Sequence, residues 1–164
     1  MMKTLLVLRH AKSSWDNAYV SDHDRPLNKR GKADAPRMGQ LIRNEQLTPD
    51  LIISSTAKRA DTTAQEIAHS SGYEHEVITT QRFYLADAKT YVDALQTADN
   101  RNDIIMVVGH NPGMGELVEM LTDRYEAMPT CALAQISLPI DHWRELSYTT
   151  RGELTNYWYP KGLS

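Results

Sequence analysis

The sequence predicts an α/β protein: a layered domain with a mostly parallel central sheet and an antiparallel or edge strand near the C-terminus. Three observations lead there. Short apolar runs alternate with stretches of helical period through the first two-thirds of the chain. The runs "TLLVL" and "DIIMVV" lack the polar alternation of a half-exposed strand, as expected for strands covered on both faces. The last third holds two further strand-like stretches with no helix between them, which asks for an antiparallel or edge addition.

Taken in order, Lys3 to Leu8 reads as the first strand and Gly31 to Gln46 as a helix with Met38, Leu41 and Ile42 on one side. "PDLIISS" is a second strand, followed by a helix through "AKRADTTAQEIAHSSG" that stops at Gly72, a residue suited to a left-handed helix end. "EHEVITT" predicts a strand and "AKTYVDALQTA" a helix. "DIIMVVGH" is a third apolar strand of the parallel set, and Pro112 opens a helix through "MGELVEMLTD". "CALAQISLPI" and "HWRELSYTTRG" read as the two late strands, with Pro139 favouring an edge or antiparallel placement. "YWYPKGLS" is too aromatic for a loose tail; it either packs on the domain or frames a pocket.

A chain of 164 residues with no repeat, linker or low-complexity tract predicts a single domain, 1–164. The formal charge of −3 argues against nucleic-acid or anionic-membrane binding by bulk electrostatics. The lone cysteine, Cys131, excludes an internal disulfide and a cysteine zinc cluster. No stretch has the length and apolarity of a membrane helix, and the first apolar run stops at Arg9, too early for a signal peptide. A cytoplasmic protein is the expectation.

In parallel α/β sheets, ligands gather beyond the carboxyl ends of the strands. Here the first strand ends in Arg9-His10, the second in Ser54-Ser55 with Arg59 in the next helical turn, and the third apolar strand in Gly109-His110-Asn111. Two histidines and two arginines at one sheet edge suit a phosphoryl group. Guanidinium forks bind phosphate oxygens bidentately. A neutral imidazole can accept the phosphoryl group covalently, and a second, protonated one can stabilise charge during transfer. Gly109 and Gly113 would let the backbone approach a ligand, and the helix start at Pro112 would aim free amides at an anion. No P-loop and no Cys-x5-Arg motif occur. Zinc held by His10, His23 and His110 would lack the usual ligand spacing. Singly, each residue reads as an ordinary strand end, turn or surface charge; the conjunction carries the chemistry. The irregular stretch from Ala11 to Arg30 adds to it, because long loops are uncommon unless functional or disordered, and Trp15 and Tyr19 within it are expected over the pocket.

The ordered motifs "LRHAKS", "DRPLNKRG", "SSTAKRADTTA" and "VGHNPG" resemble the histidine phosphatase superfamily, formerly called phosphoglycerate mutase-like, and within it the short SixA-type phosphohistidine phosphatases. The resemblance implies a three-layer α/β/α sandwich, that His10 is the phosphorylated nucleophile, that Arg9, Arg59 and His110 complete the phosphate pocket, and that no metal or organic cofactor takes part. It offers Arg25, with Gly109 and Asn111, as substrate contacts. Larger relatives place a carboxylate before the segment that here reads "RFYLADA"; this chain has none until Asp87, the candidate general acid if there is one. An acid-poor pocket would favour N–P over O–P bonds, because imidazole protonated on its other nitrogen leaves without a donor. The resulting expectation is a metal-independent phosphatase acting on phosphohistidine in a signalling or phosphorelay protein. The alternatives are a phosphatase of small esters or other phosphoproteins, and a non-catalytic phospho-ligand binder.

Overall fold

The computed structural model describes residues 2–163. Strands β1 (Lys3–Arg9), β2 (Leu51–Ser55), β3 (Ile78–Thr80), β4 (Ile104–Gly109), β5 (Leu133–Leu138) and β6 (Glu153–Trp158) form one sheet in the order β3-β2-β4-β1-β5-β6. The first four run parallel, while β5 lies antiparallel to both β1 and β6. Helices α1 (Lys29–Asn44) and α2 (Lys58–Ser71) cover one face; α3 (Ala88–Leu95) and α4 (Gly113–Thr122) cover the other. The expected sandwich is present.

The two-sided burial of β1 explains its unbroken apolar run. Leu5 and Val7 point to the layer containing Tyr91 and Leu117, whereas Leu6 and Leu8 point to that of Met38 and Ile67, and all are fully buried. Each such side chain contributes about 1.5–3 kcal/mol over an exposed one, which fixes β1 and β4 at the sheet centre.

Local chemistry sets the helix ends. The Asn28 side chain accepts from the Gly31 amide at 2.8 Å, so α1 starts at Lys29, two residues before the expected start. Gly72 ends α2 at φ 83° with its amide bonded to the Ala68 carbonyl.

Three expectations need correction. β3 shrinks to three residues because only Ile78–Thr80 pair with β2. "HWRELSYTTRG" is no strand: a 3-10 turn at Trp143–Glu145 buries Trp143, whose indole N–H donates to the Asn102 carbonyl at 2.6 Å. The second late strand is instead β6, and Pro139 sits just past the end of β5, which is paired on both sides. The C-terminal segment packs on α1, where Arg37 donates to the Leu163 carbonyl at 3.2 Å; Ser164 lies outside the described residues. Among the described residues, no helix is long and apolar enough to cross a membrane.

The register delivers the site. Arg9 pairs with Gly109 and Ser54 with Val108, so the carboxyl ends of β1, β4 and β2 lie side by side.

Candidate active site

Arg9, His10, Arg59 and His110 line one cavity of about 220 Å³ at that edge. The imidazoles of His10 and His110 stand 5.1 Å apart between ring centroids. β1 and β4 fix the first histidine through its backbone: the His10 amide donates to the Gly109 carbonyl, and the His10 carbonyl accepts from the Cys131 amide, each at 3.0 Å. Thr63 ties α2 to the same place, taking the Ala11 amide on its hydroxyl while donating to the Arg59 carbonyl.

The tautomer of His10 follows from its partner. Nδ1 lies 2.8 Å from the Ala11 carbonyl, which can only accept, so Nδ1 carries the proton and Nε2 carries the lone pair. No described residue bonds Nε2. Burial, then the charges around it, push the His10 pKa down to about 3, keeping that lone pair available at neutral pH.

His110 is neutral as well, held down to about 4 by burial first and Arg59 second. Arg59 Nη2 donates to its Nδ1 at 3.3 Å, so its Nε2–H donates to the Ser55 hydroxyl at 2.8 Å. The protonated second imidazole expected from the sequence is therefore not the form this surrounding favours.

Arg59 is buried and grips the 3-10 turn Asp22–Asp24, donating from Nη1 to the Asp22 carbonyl at 2.7 Å and from Nη2 to the Asp22 carboxylate at 3.1 Å. Arg9 donates to the Met128 carbonyl at 3.1 Å. Among the described residues the Nε atoms of Arg9 and Arg59 are buried with no hydrogen-bond partner, so an anion accepting from them would be welcome.

Arg25 lines the cavity wall, donating from Nε to Asp22 and from Nη1 to Ser13 and Ser14, and its guanidinium stacks on Trp15. Asn111 also lines the cavity and bridges to the Ala127 and Met128 carbonyls at 3.0 Å. The reason given for the glycines changes: a Cβ on Gly109 would overlap the Tyr91 hydroxyl, and one on Gly113 the Ala86 carbonyl, so both are small for core packing. Two of the first amides of α4 are already taken. Met114 donates to the His110 carbonyl and Gly115 to the Asn111 side chain.

Asp87 caps α3, accepting from the Thr90 amide and hydroxyl, and does not line the cavity. None of the cavity side chains is a carboxylic acid. Asp22 stands behind Arg59, and the Tyr84 hydroxyl, with help from Arg59 and Arg25, holds its carboxyl at about 2. Asp22, Ser55 and Tyr84 were not legible as site residues: they are polar groups in a 3-10 turn, at a strand end and just past a second 3-10 turn until the fold joins them. Trp15 lines the mouth as expected, whereas Tyr19 is 100% exposed and packs on nothing. His23 bonds Thr56 and contacts the Tyr84 ring; among the described residues no three His, Cys, Asp or Glu gather as metal ligands.

Residues 5–135 match the sequence profile of the histidine phosphatase superfamily (branch 1). The chain belongs to that superfamily. This histidine phosphatase-family chain is 35% identical over 156 residues to an uncharacterised chloroplastic protein of Arabidopsis thaliana, covering 87% of this chain and 70% of that one. A structure assigned as phosphohistidine phosphatase SixA from Agrobacterium tumefaciens superposes with a TM-score of 0.81 at 29% identity, over 96% of this chain and 98% of that one. A SixA protein histidine phosphatase bound to tungstate shares the fold, with a TM-score of 0.83 at 21% identity over 98% and 99% of the two chains. Within the superfamily frame, the histidine-arginine cluster at the β1, β2 and β4 ends is where phosphoryl chemistry is to be sought.

Proposed function

We propose that this chain is a phosphatase that passes the phosphoryl group through His10 and takes it from phosphohistidine in a signalling or phosphorelay protein. One observation carries the reading: the Nδ1–H of His10 is committed to the Ala11 carbonyl, leaving Nε2 as a buried, unprotonated nucleophile beside two arginines.

In the first step Nε2 attacks phosphorus and the substrate's N–P bond breaks. The substrate imidazole, already protonated on its other nitrogen, keeps the bonding pair and leaves neutral. Arg9 and Arg59 hold the phosphoryl oxygens through the in-line exchange. In the second step water attacks phosphorus, phosphate departs, and His10 recovers its lone pair. Because Nδ1 keeps its proton throughout, His10 also leaves without an added acid. An alkoxide of serine or a sugar would need a donor. The cavity has no carboxylic acid, Asp22 is held ionised and Tyr84 is pushed up by its bond to Asp22, which supports N–P selectivity.

The test is phosphate release, with and without a chelator, from a phosphohistidine-bearing protein and from serine and sugar phosphates, with His10→Ala as control. Chelator-insensitive, His10-dependent release from phosphohistidine alone is expected. Equal release from the esters would reveal an unrecognised acid and a broader phosphatase. Binding with no release from any would return the chain to a phospho-ligand binder.

A further inference from the structure

The cavity has a buried polar floor, and two large apolar side chains stand at its exposed side. His10, Arg59 and His110 at the floor are buried, whereas Trp15 and Leu85 on the same cavity wall are 73% and 60% exposed. A phosphoryl group on the floor would leave the next atoms of its substrate toward the exposed side of the cavity, which Trp15 and Leu85 line.

Trp15 is exposed yet held. The Arg25 guanidinium lies 3.5 Å from the indole centroid, covering one face. Arg25 is in turn pinned by the Ser13 hydroxyl at 2.7 Å and Asp22 at 3.1 Å. The backbone on the N-terminal side is tied down by the Ser13–Leu27 bridge and by the Ser14 amide on the Pro26 carbonyl at 2.8 Å. An indole with a cation on one face and its other face open is a pre-ordered stacking surface.

Resting on the phosphohistidine reading, we propose that Trp15 is the platform on which the ring of the leaving group stacks, so that the pocket selects planar leaving groups, imidazole above all, by their shape. The phosphate contacts are common to every phosphoryl substrate and cannot make that selection. A protonated imidazole adds a cation–π component on the open face. A serine or sugar phosphate would present no aromatic ring to the open face of Trp15.

The test compares Trp15→Ala and Trp15→Phe with the wild type on phosphohistidine and on phosphoramidate, which has the same N–P bond and no ring. Trp15→Ala is expected to raise KM roughly tenfold for phosphohistidine, the size of an aromatic stack, with kcat and the phosphoramidate parameters within about twofold. Trp15→Phe should keep most of the wild-type KM. Equal losses on both substrates, as from a loosened Arg25, or no change on either, would overturn the platform. Phenyl phosphate and phosphoserine separate this from the parent reading. A wild type that hydrolyses phenyl phosphate but not phosphohistidine sinks the phosphohistidine reading, and a Trp15→Ala loss confined to phenyl phosphate would still sustain the platform. A wild type inert on all four substrates overturns both.

Discussion

Arg59 and Asp22 are joined twice: the guanidinium of the first donates to both the backbone carbonyl and the carboxylate of the second, at 2.7 and 3.1 Å. The arginine comes from the first turn of α2 and the aspartate from the loop after β1, so this pair clamps the loop to the pocket. Asp22→Asn keeps the carbonyl bond and removes the charge. We expect kcat to fall about tenfold as Arg59 loses its orientation. Because Asp22 is 43% exposed, the stability loss should be only about 1 kcal/mol. Steady-state kinetics with a denaturant melt checks both, and an unchanged kcat would show that Asp22 does not orient Arg59.

Ser55 accepts the Nε2–H of His110 at 2.8 Å inside the pocket wall. Ser55→Ala leaves that donor unpaired, a penalty of about 1–3 kcal/mol in stability. It also frees the imidazole to rotate. The expected kinetic signature is a lower kcat with KM within about twofold, and a KM effect alone would place His110 in binding only.

Two buried neutral histidines make the fold acid-sensitive in a defined window. Their folded pKa values, about 3 for His10 and about 4 for His110, lie below the unfolded value of about 6.5. Between these limits the unfolded chain binds more protons. Stability is therefore fully present above pH ~6.5 and is lost as pH falls toward pH ~4, at up to about 1.4 kcal/mol per pH unit for each imidazole. Urea melts from pH 7 to 4.5 should show this slope, and His10→Asn should remove about half of it. An unchanged slope in the variant would mean His10 already titrates normally.

The same depressed values bear on the rate. His10, His110 and Asp22 do not titrate between pH 5 and 8, having folded values of about 3, 4 and 2. The profile of kcat/KM for phosphohistidine should therefore lack an acid limb above pH 5 and decline toward alkaline pH as the leaving imidazole loses its proton. An acid limb with a midpoint near 6.5 would assign an ordinary histidine to the nucleophile.

Gly109→Ala forces its new methyl group into the Tyr91 hydroxyl, which donates to the Phe83 carbonyl at 3.2 Å. Overpacking of this kind costs about 1–3 kcal/mol. Adding Tyr91→Phe should recover part of that loss, and a double variant no more stable than the single would place the strain in the backbone instead.

The parallel core was legible because strands covered on both faces write continuous apolar runs, and the cluster of Arg9, His10, Arg59 and His110 was legible because strand ends are marked by where those runs stop. β6 was not: its residues are mostly exposed or half-buried, so no alternation records which face meets the sheet. The stretch around Trp143 imitated a strand because one deeply buried indole flanked by polar residues looks like half an alternation. Asp22, Ser55 and Tyr84 were hidden for another reason. Their roles exist only as pairings across 30 or more residues, with Arg59, His110 and each other. Arg25 was legible as a candidate site residue, but its bonds to Ser13, Ser14 and Asp22 and its stack on Trp15 were not, because each depends on how the loop folds.

The pairing of Arg9 with Gly109 joins parts of the chain separated by α1, β2, α2, β3 and α3. Closing so long a segment is among the slower events of folding, because its entropy is lost before the contact rewards it. His10 is synthesised before β4, and it meets His110 only when β4 has zipped onto β1. On the proposed mechanism turnover waits for that step, and its onset on refolding would report the closing of the sheet.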